Sequence, residues 1–138
     1  MKRICTIHLT ASGDGVDANG SLEITGGYIV STGPTQGDTS VLDYDASGTI
    51  TGGTYIGTGG RGFGQSLSTG QTQGVLVISN TSGSAGTKIT VKDSSGNVIL
   101  EHTPQLGFNY VVISSPQILK GSTYTVTIGN SNSSVRAN

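Results

Sequence analysis

Asp14, Asp17, Asp43 and Asp45 are the side chains whose type and spacing most suggest chemistry. Asp17 and Asp43 lie 26 residues apart, and so do Asn19 and Asp45. If that interval is a structural period, Asp17 stacks over Asp43 and Asn19 over Asp45, one strand spacing of roughly 4.8 Å away. Carboxylates that close repel unless they face solvent, share a proton or enclose a cation. Asp14 and the turn carbonyls near Gly15 add oxygens and no nitrogen. Such donors suit Ca²⁺, which takes six to eight oxygens at about 2.3–2.6 Å. Zinc prefers His and Cys, and His8 and His102 are distant in sequence. The plainer alternative is that Asp and Asn occupy turns because their side chains cap the backbone locally. Asp38 belongs to that class.

Tyr44 alternates with Asp43 and Asp45 on an extended segment, so its ring points away from them and offers a flat face to a ligand. Arg61 and Phe63, in a glycine-rich stretch, are further ligand-binding candidates beside the alternative of plain solvated loop residues. Tyr28 and Tyr55 read as packing residues. A glycosidase needs two carboxylates across a cleft. A lyase needs a base beside its metal. Neither a nucleophile elbow nor a phosphate loop with its helix is present. The chain therefore reads as a non-enzyme, with polysaccharide lyase activity as the weaker alternative.

The elements that would position these groups come from a repeat. Asp17–Gly27 aligns with Asp43–Gly53, with Ile-Thr-Gly-Gly intact in both and Val16 matching Leu42. A period of 20 to 50 residues marks a solenoid, whose units bury their apolar side by stacking. The apolar runs are too short and too often broken by Gly or Asp for helices. The fold class predicted is all-β: a short, single-stranded, right-handed parallel β-helix over residues 1–60, with acidic turns. A Gly-rich loop follows at 61–74, then C-terminal strands at 75–129 that cap the coil, and a polar tail at 130–138. Asp93–Asn97 reads as a hairpin turn. The open coil end is a candidate surface for homo-oligomer formation, since unpaired edges recruit strands.

Composition agrees with an all-β chain. Of 138 residues 23 are Gly, only 11% are charged, and no G-X-Y period exists. A net charge of −1 gives no basic stripe for nucleic acid. No stretch reaches the roughly 18 apolar residues of a membrane span. The single Cys5 has no internal disulfide partner. No apolar signal-peptide core follows Met1-Lys2-Arg3 in this chain.

GDGVDANGSLEITGG followed by GPTQGDTSVLDYDASGTITGGTYIGTG resembles a bacterial family of secreted carbohydrate-binding domains. Lys92–Val98, Ser114-Ser115-Pro116 and Gly121–Val126 look like the closing strands of the same family. The resemblance implies a right-handed parallel β-helix like that of pectate lyases, with Asp14, Asp17, Asn19, Asp43 and Asp45 holding calcium. It also implies a calcium-dependent polysaccharide-binding module, taking acidic pectic polysaccharide or cellulose, secreted or at the cell surface in the natural full-length protein. The alternatives are a structural or adhesive cell-surface domain stabilised by calcium, or a fragment of a polysaccharide-lyase-like protein.

Overall fold

A computed structural model describes residues 6–10, 16–18, 20–33, 35, 41–44, 47–61, 65–69, 72–79 and 81–138, with backbone alone for 6–10 and 16–18. Fourteen strands are described. The first half carries β1 (Thr6–Thr10), β2 (Val16–Ala18), β3 (Ser21–Ile24), β4 (Tyr28–Thr32), β5 (Leu42–Tyr44), β6 (Ser47–Ile50) and β7 (Thr54–Gly59). The second carries β8 (Ser68–Thr69), β9 (Gln73–Ile78), β10 (Ile89–Lys92), β11 (Val98–His102), β12 (Tyr110–Leu119), β13 (Thr123–Ile128) and β14 (Ser131–Arg136).

The repeat sets the pairing of the first half. Strands one period apart run parallel, with Asp17 opposite Asp43, Ile24 opposite Ile50 and Val30 opposite Ile56. The positive φ of Gly27 (87°) and Gly53 (78°) turns the chain at equivalent corners, a conformation that costs glycine little. β1, β2 and β3 thus make a first layer, and β4, β5 and β6 are laid upon it.

The expected right-handed parallel β-helix, and with it the solenoid, is nevertheless not what forms. The strands divide into four separate sheets. The largest is mixed, in the order β1-β4-β7-β12-β9, and a second is wholly antiparallel, in the order β11-β10-β13-β14. Two small parallel sheets, β2-β5 and β3-β6-β8, complete the set. β7 is followed in its sheet not by another parallel strand but by β12, which pairs antiparallel with it and with β9.

The physical reason lies in which faces are apolar. A strand on the wall of a coil buries one face, whereas a run of consecutive apolar residues buries both. Residues 29–30, 55–56, 75–78 and 110–113 are such runs. Along β12, Tyr110 and Val112 join a core with Ile24, Leu42 and Ile50. Val111 and Ile113 join a different core with Ile89, Val91 and Val126. The five-stranded sheet is therefore a central layer. Its inner face meets the small parallel sheets, and its outer face meets the antiparallel sheet, so the C-terminal strands cover a wall.

Local chemistry explains two details. Pro116 sits where the β12–β9 ladder slips between Ser114 and Leu119, as a residue without an N–H must. Residues 131–136 of the polar C-terminus form β14, paired to β13 along its length, and Asn138 exchanges two backbone hydrogen bonds with Val75 (2.9 and 3.1 Å).

Candidate association edge

Each of the three parallel stacks has a far side, reached last by the chain, and a near side at the first layer. On the far side every stack has a partner. β12 pairs with β7, and β8 pairs with β6. β5, the end of its two-stranded sheet, is met by a side chain. The Gln65 amide accepts from Tyr44 N–H at 2.9 Å and donates to Tyr44 C=O at 2.9 Å, which is what a neighbouring strand would do. Tyr44 Oη donates to Ser66 C=O at 2.6 Å, Tyr110 Oη donates to Gln65 C=O at 3.1 Å, and Val41 N–H donates to Gly60 C=O at 3.1 Å. Gln73, itself buried, donates through Nε2 to Gly53 C=O and to Ser114 Oγ, both at 2.9 Å.

On the near side, β1, β2 and β3 are each the terminal strand of their sheet. Among the described residues no strand or side-chain bond covers their outer edge. The glycines give an independent sign of this vacancy. A Cβ on Gly52 would collide with the Thr25 carbonyl of the layer before it, and one on Gly53 would lie 2.5 Å from the Gly26 carbonyl carbon. A Cβ on Gly26, one period earlier, meets nothing within 4 Å. Alternation also assigns the edge atoms of β3. Thr51 N–H donates to Ile24 C=O at 2.9 Å, so Ile24 turns its polar groups toward β6 and Glu23 turns its own outward. Glu23 is exposed and Ile24 is buried.

The metal-ligand expectation fares otherwise. The backbones of Asp17 and Asp43 are adjacent in register. Asp14, Asn19 and Asp45 lie outside the described residues, as does Asp38. Asp43 is half-buried and takes part in an interaction of its own. Among the described residues no group of three or more His, Cys, Asp or Glu side chains is placed to hold a metal ion. One register pair falls far short of the six to eight oxygens that calcium gathers. A calcium-dependent polysaccharide-binding module, or a calcium-stapled coil, is therefore not supported by this fold.

Of the ligand-binding candidates, Tyr44 is committed to the Gln65–Ser66 segment, and its ring lies where a Cβ on Gly48 would approach Cε1 to 2.6 Å. Arg61 is exposed, with its backbone N–H donating to Asn109 Oδ1 at 3.1 Å, and Phe63 lies outside the described residues. A cleft of about 510 Å³ is lined by Ser79, Thr81, Ser82, Ile128, Ser131 and Ser133. It offers hydroxyls and one apolar side chain, with no acid, base or activated nucleophile.

The residues that sequence reasoning missed are Gln65 and Gln73. Both stand in or beside the glycine-rich stretch, where a lone amide carries no spacing signal. No family model matches the chain, and neither a curated protein nor a solved structure matches it. The resemblance to secreted carbohydrate-binding domains with a pectate-lyase-like coil is overturned, on this and on the four-sheet topology.

Proposed function

We propose that this chain is a non-catalytic, strand-accepting interaction module. Its first layer takes up extended backbone from a partner, by adding strands to existing sheet edges. The observation that carries the reading is the asymmetry of the stacks. Three sheets end together on β1, β2 and β3, while the far sides are met by β12, β8 and the Gln65 amide. Unpaired edge groups gain hydrogen bonds and shed water when a strand is laid on them, and natural edges not meant for pairing are blocked by bulges, prolines or charge. β1 and β2 contain neither proline nor lysine, and their ladders to β4 and β5 are regular. Neither calcium nor a polysaccharide is needed for this role.

The reading is tested by supplying a layer of the same design. A tandem copy of residues 16–41 inserted ahead of Val16 is expected to dock on the edge. The urea midpoint then rises, and the denaturant slope rises with the extra surface buried. An inserted copy that stays protease-sensitive and leaves both quantities unchanged overturns the reading.

A further inference from the structure

We infer that the partner taken up by the first layer is a second copy of this chain, docked head to head about a two-fold axis. The inference rests on the strand-accepting reading and adds the identity and geometry of the partner. A head-to-tail arrangement would need the far side of one copy to receive the first layer of the next. That side is occupied by β12 on β7, by β8 on β6 and by Gln65 on Tyr44. The remaining self-complementary arrangement brings two first layers together, and the two-fold makes strands of opposite copies antiparallel, the commoner mode of pairing.

Two further observations favour a copy of this chain. With a net charge of −1 over 138 residues, two molecules approach with almost no long-range repulsion. The vacancy beside Gly26 lets another backbone come as near as the second layer comes to the first at Gly52 and Gly53. The strands offered have five, three and four residues, fewer than the 20 to 30 residues a side of an ordinary stable interface. The dimer is therefore expected to be reversible and concentration-dependent.

The experiment is light scattering and sedimentation equilibrium over a wide concentration range, on the full chain and three variants. The expected result is a species of twice 13.9 kDa that dissociates on dilution. Glu23→Pro removes an outward N–H without touching the β6 ladder, and Gly26→Lys fills the vacancy. Each should weaken association at least about tenfold, as the loss of one backbone bond or a blocked approach would, while the dilute monomer keeps its melting temperature. Ser133→Lys, on exposed β14, should leave association unchanged. A dimer indifferent to Glu23→Pro and Gly26→Lys, or sensitive to Ser133→Lys, overturns the inference, as does growth beyond two copies. A chain that stays monomeric while the tandem layer stabilises it overturns the second copy and leaves the strand-accepting reading standing. A monomer with no gain from the tandem layer overturns both.

Discussion

Gln65 stands to Tyr44 as an adjacent strand would, its one amide closing both the N–H and the C=O of that residue at 2.9 Å. The contact joins positions 21 apart in sequence and ends the β2–β5 sheet on its far side. Gln65→Ala leaves two half-buried backbone groups without their partner. The expected loss is about 1–3 kcal/mol in urea unfolding. Gln65→Glu keeps an acceptor for Tyr44 N–H but sets a carboxylate against its carbonyl, so it is expected to be no better than alanine at neutral pH.

The two copies of Ile-Thr-Gly-Gly differ in what they tolerate. Gly53→Ala places a side chain at φ 78° and against the Gly26 backbone, for an expected cost of about 2–4 kcal/mol. Gly26→Ala meets open space and stays within about 1 kcal/mol of wild type. Thermal melts of the pair at low protein concentration check the contrast. Equal costs would mean that Gly26 is as crowded as Gly53.

Tyr55 is fully buried on β7, and burial pushes its phenol above the ordinary tyrosine value, a hydrogen bond with Ser31 acting weakly the other way. In the unfolded chain the group ionises near pH 10. Its contribution is thus complete below that pH and is lost as pH rises toward the folded value, because the unfolded state then sheds a proton that the native state retains. Ultraviolet titration should show Tyr55 ionising only as the protein unfolds. Tyr55→Phe should flatten the alkaline limb of the stability curve.

Asp93 gives the opposite sign. Its carboxylate accepts from the backbone N–H groups of Asn97 (3.0 Å) and Ser95 (2.9 Å) in the β10–β11 turn. The Asn97 bond is the leading reason that its pKa lies below the ordinary carboxylate value, with a smaller desolvation effect opposing it. Its contribution is present above the unfolded pKa and is lost as pH falls through the folded one. Asp93→Asn keeps an acceptor oxygen without a titrating group. The melting-temperature gap between wild type and Asp93→Asn should therefore be largest near neutrality and narrow below about pH 4.

The repeat made the local pairing legible, because Val16 with Leu42 and Ile24 with Ile50 are matches of residue type at one interval. It did not make the architecture legible. The signal lay in the same alignment, in Ile29-Val30 against Tyr55-Ile56, where two adjacent apolar residues per layer require a sheet covered on both faces. Reading those positions as the wall of a coil left the outer face uncovered, and the strands that cover it were placed at the coil end. The aspartates misled for a related reason. Register brings the Asp17 and Asp43 backbones together, but a cation site needs side-chain oxygens to converge, and a shared period does not supply that. Gln65 and Gln73 escaped notice because a single amide that replaces a strand leaves no periodic trace.

The central position of β12 also bears on how the molecule is made. Some fifty residues separate β7 from the strand that shields its flank, and Val30 and Ile56 have no apolar cover on one face until β10 and β13 exist. During synthesis, the parallel layers emerge first with sticky surfaces on display, and contacts so distant in sequence form slowly. Ribosome-bound chains cut short before Tyr110 should thus recruit chaperones, and the native state should arise only after the last third of the polypeptide has been released.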